Sequence, residues 1–329
     1  MNKVHFLVFI TSFLFISCNK KESAIQAPIA AKTNTIAVLI DDQLWKGEIG
    51  DSIRNKFASP VIGLPEEEPL FNINQYPIKL LEGYMAKNRN SIVIEKGSNR
   101  LFKIQKNKFQ TPQNAVYISG KSIQEIIDTL EVHSAEIIAL IRQTELLEYQ
   151  RINNDTLRNT QQISKKFRIK LNVPNGYQYV LQRRHFTWLK KEITGGSTSI
   201  LIYQVPLTRM NSYANPSAIN SIIRMRDSIG NLYLHGTARN SRMITEEAYS
   251  PYFSKVYLNG KKAFETKGTW EMENDFMSGP FINYCIFDYP RGRLLILEGF
   301  CYAPSKEKRD LMFELESIIK SVQFLKKRK

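Results

Sequence analysis

Six cations in two segments come nearest to a chemical constellation in this chain. Arg183, Arg184 and His185, followed by Lys190 and Lys191, flank the aromatic residues Phe186 and Trp188. Strand alternation puts Arg184, Phe186, Trp188 and Lys190 on one face. Cations beside aromatic rings make a platform for an acidic or sugar ligand. The same pattern describes a core strand with basic residues at its rim. The second segment, residues 235–242 (HGTARNSR), brings Arg239 and Arg242 together with hydroxyls and an amide. It reads as an anion cradle or as a plain solvated loop. Glu271 and Glu273 are two apart on an expected strand and share a face, which suits acid/base work on a sugar or simply a solvated edge.

Other chemistries lack their residues. His133, His185 and His235 are scattered, and there is neither HExxH nor paired CxxC, so no metal site is expected. Neither a GxxxxGK[ST] nor a GxGxxG pattern occurs, so no nucleotide cofactor is expected. Gly195, Gly196 and Ser197 fall in an expected hairpin turn rather than a nucleophile elbow. No catalytic residue is assigned.

The N-terminus sets the location. Lys3 is followed by an apolar run over residues 4–16 and then by Ser17 and Cys18. The run is shorter than the ~20 residues a spanning helix needs and reads as an export signal. A small residue followed by cysteine makes it a lipoprotein signal, with cleavage before Cys18 and acylation of its thiol. The protein is then expected to be anchored to a membrane through an N-terminal lipid, since two or more fatty tails anchor stably. Asn19 is not an aspartate retention signal, and Lys20, Lys21 and Glu22 carry little acid, so the periplasmic face of the outer membrane is the expected address.

The net charge of +15 is unevenly spread: residues 161–329 hold 27 Lys and Arg against 14 Asp and Glu, while residues 18–160 hold 18 against 17. A basic half on a tethered protein suits an acidic protein, a glycan or anionic lipid. Nucleic acid is not an expected partner outside the cytoplasm.

The elements that must carry these residues follow from periodicity. Residues 1–17 are the signal and 18–34 a polar tether. An N-terminal α/β domain is expected over 35–150, a polar linker over 151–164, and an α+β domain over 165–329. In the first, residues 35–40 (TIAVLI) form a buried strand, and Trp45, Ile49, Ile53 and Phe57 mark an amphipathic helix. Glu66, Glu67 and Glu68 sit in a loop, and residues 78–86 are helical. Ser122 and Glu125 form a capping box, opening a helix that breaks near His133 and Ser134. In the second, residues 167–173 alternate strictly, 177–189 form one strand, and a helix starts at Asn215 and Pro216 and ends before Gly230. A short strand covers 232–234, and 235–252 are irregular. Strands at 256–257, 263–272, 281–287 and 294–302 complete an antiparallel sheet, and Ser305 caps a final helix. A hairpin turning at residues 288–293 puts Cys285 opposite Leu297 and Cys301 opposite Phe281. That register separates the thiols by roughly 13 Å, too far for a disulfide, unless a bulge or another turn changes it.

The last third carries a recognisable series: Gly268, Thr269, Trp270 and Glu271; residues 276–281 (FMSGPF); Glu298, Gly299 and Phe300; Tyr302, Ala303 and Pro304; Lys308, Arg309 and Asp310; and residues 315–318 (LESI). It resembles DUF4837, a family of uncharacterised Bacteroidota envelope lipoproteins. The resemblance implies an exported, lipid-anchored α/β protein and brings no activity. The closing sheet and helix are also similar in layout to the Mog1/PsbP type of α/β sandwich. The expected function is a binding or scaffolding module with a basic C-terminal half. The competing class is an envelope enzyme acting on glycan or lipid.

Overall fold

A computed structural model describes residues 32–81, 85–210 and 217–326. Residues 1–17, expected as an export signal, and Cys18 lie outside the described residues. Among those described, no helix is long and apolar enough to cross a membrane.

The first half contains β1 (Thr35–Leu39), α1 (Asp42–Lys46), α2 (Glu48–Phe57), β2 (Asn72–Tyr76), β3 (Asn90–Lys96), β4 (Leu101–Lys106), β5 (Asn114–Gly120) and α3 (Ile123–Asn153). The described strands form a five-stranded sheet in the order β2-β1-β3-β5-β4. All pairs are parallel except β4 with β5. A mostly parallel sheet is covered on both faces, hence the unbroken apolar run of β1. Ile36 and Val38 meet Ile53, Phe57, Ile126 and Leu130 of α2 and α3, whereas Ala37 and Leu39 meet Val93 on the opposite face.

The capping box forms, Glu125 N donating to Ser122 Oγ at 3.2 Å, although the Glu125 carboxylate accepts from Lys121 N at 2.8 Å. The expected break at His133 and Ser134 does not occur. Helix α3 runs unbroken for 31 residues, about 46 Å at 1.5 Å each, because its apolar stripe continues through buried Ile137 and Ile141 and His133 stacks on Phe102. Residues 78–86 are less helical than expected: they hold two separate 3₁₀ turns on either side of residues 82–84, which are outside the description. Residues 151–164, expected as a linker, hold the last turn of α3, a 3₁₀ turn and the start of α4 (Gln161–Phe167).

The second half continues with β6 (Ile169–Lys170), β7 (Gln178–Arg183), β8 (Phe186–Ile193), β9 (Gly196–Pro206), α5 (Ser217–Tyr233), β10 (Arg242–Thr245), β11 (Tyr252–Leu258), β12 (Lys261–Glu273), β13 (Ser278–Asp288), β14 (Arg293–Tyr302), α6 (Arg309–Lys320) and β15 (Gln323–Phe324). The main sheet is antiparallel, ordered β10-β12-β13-β14-β9-β8-β7, with β11 also on β12. Helices α4 and α6 cover one face through Ile163, Phe167, Leu315 and Ile319. Helix α5 covers the other through Ala218, Ile222 and Met225. The alternation of residues 167–173 is real in burial, with Phe167, Ile169, Leu171 and Val173 all inside, although only β6 pairs as a strand, with β15.

Three expectations change here. The strand expected over 177–189 is a hairpin, β7 turning into β8 at Arg184 and His185. The described part of α5 passes through Gly230 to Tyr233, so residues 232–233 are helical; glycine is needed there because a Cβ would stand 1.9 Å from Met243 O on β10. Strand β10 lies within the stretch expected to be irregular.

Helix α5 is also held by buried charge. Arg226 donates to both Glu298 oxygens at 3.0 and 2.8 Å, Asn283 adds a bond to Glu298 at 2.7 Å, and the guanidinium lies 3.5 Å from the Phe281 ring centre.

The β13–β14 register is one residue from the expected one: Cys285 opposes Ile296, and Phe281 opposes Phe300. A one-residue slip exchanges faces. Cys285 therefore faces the α5 core and Cys301 the α6 core. Both are free thiols, and burial pushes each up to about 12. Neither should react with DTNB in the native full chain, and both should react in denaturant; a third reacting thiol there would be unacylated Cys18. A melting temperature that falls in reductant would contradict the assignment to opposite faces.

Candidate functional site

The two halves meet along α6. Its N-cap residue is Lys308, with no capping side chain of its own, and Ser305 does not cap it as expected. The cap comes from the acidic triplet of the first half. Glu68 accepts from Lys308 N at 2.6 Å and from Arg309 N at 2.8 Å, one bond to each carboxylate oxygen. Such bonds satisfy orphan amides and place negative charge at the positive end of the helix dipole. Glu66 adds an ion pair to the Lys308 ammonium at 2.6 Å, and Arg309 donates to Pro69 O at 2.9 Å and to Asn72 at 3.1 Å.

The loop carrying this triplet joins α2 to β2 and is pinched by Val61 N donating to Glu68 O at 2.9 Å and Leu70 N donating to Ser59 O at 2.8 Å. Gly63 has φ +88°, and a Cβ there would come within 2.8 Å of Lys267 Cβ, so the loop tip lies directly on β12. Further along α6, Arg142 pairs with Glu316 at 2.6 Å, Tyr149 donates to Glu314 at 2.7 Å, and Gln150 donates to Ser317 O at 2.8 Å.

Between the loop and α3 lies a cavity of about 240 Å³. Phe281, Ile282, Met312 and Phe313 give it apolar walls, and Ile62 and Leu64 close the loop side. Its charged residues are Arg142, Lys267, Arg309 and Glu316. Burial alone would raise Glu316, but the charges of Arg142, Lys267 and Lys320 more than reverse this and bring it to about 2. Asn34 also lines the cavity. It is 1% exposed, its Nδ2 donates to Asp310 at 3.0 Å, and its Oδ1 has no partner among the described residues. The cavity can therefore accept an anionic group near Arg142 and Lys267, an apolar body on the walls, and a donor at Asn34.

The structure does not gather the six cations singled out from sequence. Arg183 and Arg184 are exposed at the β7–β8 hairpin. Lys190 and Lys191 are neighbours on β8 and so point to opposite faces: Lys190 pairs with Glu192 at 2.7 Å, while Lys191 pairs with Glu314 on α6. Phe186 is core, as the plainer reading had it. Arg239 sits in a turn, and Arg242 binds the Glu273 carboxylate. The 235–242 loop does cradle an anion, but the anion is the chain's own Asp275, which accepts from Thr237 N at 2.8 Å and Ala238 N at 3.3 Å. Backbone donors, with Phe276 N first, hold Asp275 below its ordinary value. Glu271 is raised, by burial and then by Glu246 and Glu247.

Sequence reasoning missed Arg142 entirely, since nothing in a helix marks the residue that faces a second domain. Arg309 and Phe281 lay inside the quoted motif blocks, and Lys267 immediately precedes one.

A family model described as Domain of unknown function (DUF4837) matches residues 156–321, half of the chain. The chain belongs to that family. Its matched part supplies the sheet, α6 and the Lys267 and Arg309 side of the cavity. A second model, Domain of unknown function (DUF8532), matches residues 30–154 and supplies Asn34, the loop and Arg142. No curated protein matches the chain. Among solved structures, the crystal structure of LpqN, described as involved in cell envelope biogenesis of Mycobacterium tuberculosis, is similar over 47% of this chain and 81% of that one, at 11% identity and a TM-score of 0.27.

Replacing Glu68 with Ala should cost about 1–3 kcal/mol in denaturant unfolding, and Glu68→Gln less, since Gln keeps an acceptor without the charge. An unchanged midpoint for both would remove the cap from the account. Glu316 makes acid stability a second test. Its folded value of about 2 lies below the ordinary 4.5, so its contribution is fully present above about 4.5 and lost as pH falls toward 2. Glu316→Gln should flatten the unfolding free energy over that window.

Proposed function

We propose that this DUF4837 protein is a lipid-tethered binding module of the cell envelope whose junction cavity takes a small anion with an apolar body. The cavity itself supports this reading: Arg142, Lys267 and Arg309 converge on it with Glu316, over apolar walls and beside an unpartnered buried acceptor on Asn34. Lys267 also pairs with Glu265 at 3.1 Å and Arg309 with Asp310 at 2.9 Å, which leaves Arg142 as the cation a ligand would share with Glu316. Ligand sites are typically concave, mostly apolar and equipped with a few convergent polar groups. Glu316 can share Arg142 with a ligand because its other oxygen already holds Lys320 at 2.6 Å. The tether rests on Lys3, the apolar run over 4–16 and Cys18, and its address at the periplasmic face of the outer membrane on the residues after Cys18. The resemblance to Bacteroidota envelope lipoproteins supports both. The Mog1/PsbP type of layout for the second half is supported by its antiparallel sheet with helices on both faces.

The enzyme reading has less support. Glu273 is bound by Arg242, and the loop that was to complete its cleft holds Asp275.

Calorimetry of the full chain in phosphatidylcholine nanodiscs with benzoate, against benzyl alcohol as its neutral counterpart, tests the cavity. Benzoate should bind the more tightly, and Arg142→Ala or Lys267→Ala should weaken it by about tenfold. Equal binding of benzyl alcohol, or variants indistinguishable from the parent, would sink the reading.

A further inference from the structure

A second concave site lies at the far edge of the main sheet, on the face that carries the α5 core. Strands β11 and β12 are joined by Asn259 and Gly260, with φ of +45° and +77°. Both residues in the left-handed region make a tight two-residue hairpin that sets the register rigidly. That register pairs Tyr257 with Lys262 and Lys255 with Phe264. Residues paired across two strands share a face, so both tyrosine and lysines stand over the Phe264 side. A cavity of about 390 Å³ forms there, with Phe264 and Phe287 in its lining and Tyr257 and Tyr289 at its rim.

The side chains of this site are unusual for bare surface. Tyr257 is 73% exposed and Tyr289 is 52% exposed. Tyr289 stacks on Phe287 at 5.8 Å and 19°, and Phe287 meets Phe264 edge-on at 5.0 Å, so the rim ring is held in orientation by the floor. Lys255 and Lys262 both line the cavity and have no ion-pair partner among the described residues, whereas neighbouring Lys261 is spent on Asp288 at 3.1 Å. Among the described residues, no aspartate or glutamate lines the cavity.

We propose that this site binds an acidic glycan, with sugar rings packed on Tyr257 and Tyr289 and their carboxylates met by Lys255 and Lys262. Oriented aromatic faces offer the flat apolar contact that the C–H face of a sugar ring fits, and the phenol oxygens and ammonium groups beside them serve its hydroxyls and carboxylates. Two unneutralised lysines at the rim select the charged glycan over a neutral one. Tyrosine and lysine also occur at bilayer interfaces, but a membrane-inserting patch needs projecting apolar side chains beside them, and here the lining aliphatic residue Val256 is half-buried. The site is separate from the junction cavity and shares no residue with it.

The test uses the full chain in phosphatidylcholine nanodiscs and an α-1,4-linked galacturonate hexamer, with maltohexaose as the neutral oligomer of the same linkage, and reads affinity by calorimetry. The galacturonate hexamer should bind. Tyr257→Ala, Tyr289→Ala and the double change Lys255→Glu with Lys262→Glu should each weaken it by about tenfold. Tyr257→Phe should keep most of the affinity, and Arg142→Ala should leave it unchanged, which separates this site from the junction cavity. The lysine changes are on exposed side chains, so they keep the test decisive if a tyrosine variant fails to fold. Equal affinity for maltohexaose, retention of binding in the lysine double variant, or binding to phosphatidylglycerol vesicles with none to the hexamer would each overturn the proposal.

Discussion

The carboxylate of Glu68 on the first amides of α6 is the interaction on which the arrangement of this protein turns. A helix start leaves amides without partners, and burying them unpaired is costly. Helix α6 begins at buried Lys308 and Arg309, and the local chain offers no capping side chain. The acceptor arrives from 240 residues earlier in sequence. Helix α6 is also core for the second sheet through Leu315, Ile318 and Ile319, and it is the surface on which α3 lies through Glu314 and Glu316. One carboxylate thus ties the α2–β2 loop, α3 and the main sheet into a common frame, and the junction cavity is the space that frame leaves.

Among the described residues, the buried carboxylates meet complementary donors. Glu298 has Arg226 and Asn283 on the α5 side. Glu314 accepts from Tyr149 and Tyr177, each at 2.7 Å, and pairs with Lys191. Glu145 accepts from Arg89 at 2.8 Å and Asn90 at 2.6 Å, yet burial still holds its pKa above the ordinary value. Apolar faces tolerate small slides, but a bidentate pair such as Arg226 with Glu298 tolerates few, so these pairs set where α5 and α6 rest on the sheet. These pairs match one cation to one carboxylate within a half, so the cationic excess of the second half is left over after them.

Periodicity made most elements legible. The apolar run of β1, the four C-terminal strands and the face of α6 appear where their spacing put them. Ile49, Ile53 and Phe57 form the buried stripe of α2, although Trp45, expected on the same helix, belongs to the separate α1 because the chain breaks at Gly47. The misreadings share a cause. Arg184 and His185 carry no turn signal of the glycine or asparagine type, so the β7–β8 turn was invisible, and with it the scattering of the cations on either side. Gly230 looks like a helix stop until Met243 O is seen against it. The β13–β14 register missed by one residue, because Gly292 in the left-handed region follows a 3₁₀ turn at Tyr289–Arg291 and shifts the hairpin centre.

The site was less legible than the fold, for a physical reason. Side-chain alternation and helical spacing are local and depend on residue types a few positions apart, so the amino-acid sequence alone determined most of the strands and helices, the basic second half and the resemblance to the family. Which charges converge depends on how the two halves meet. Arg142 and Lys267 are ordinary surface cations in any local window, and Glu66, Glu67 and Glu68 an ordinary acidic loop. Only the packing of α3 and the loop on α6, a matter of long-range complementarity, decided that the triplet caps a helix, that Asp275 fills the expected cradle, and that a charged cavity stands between the sheets.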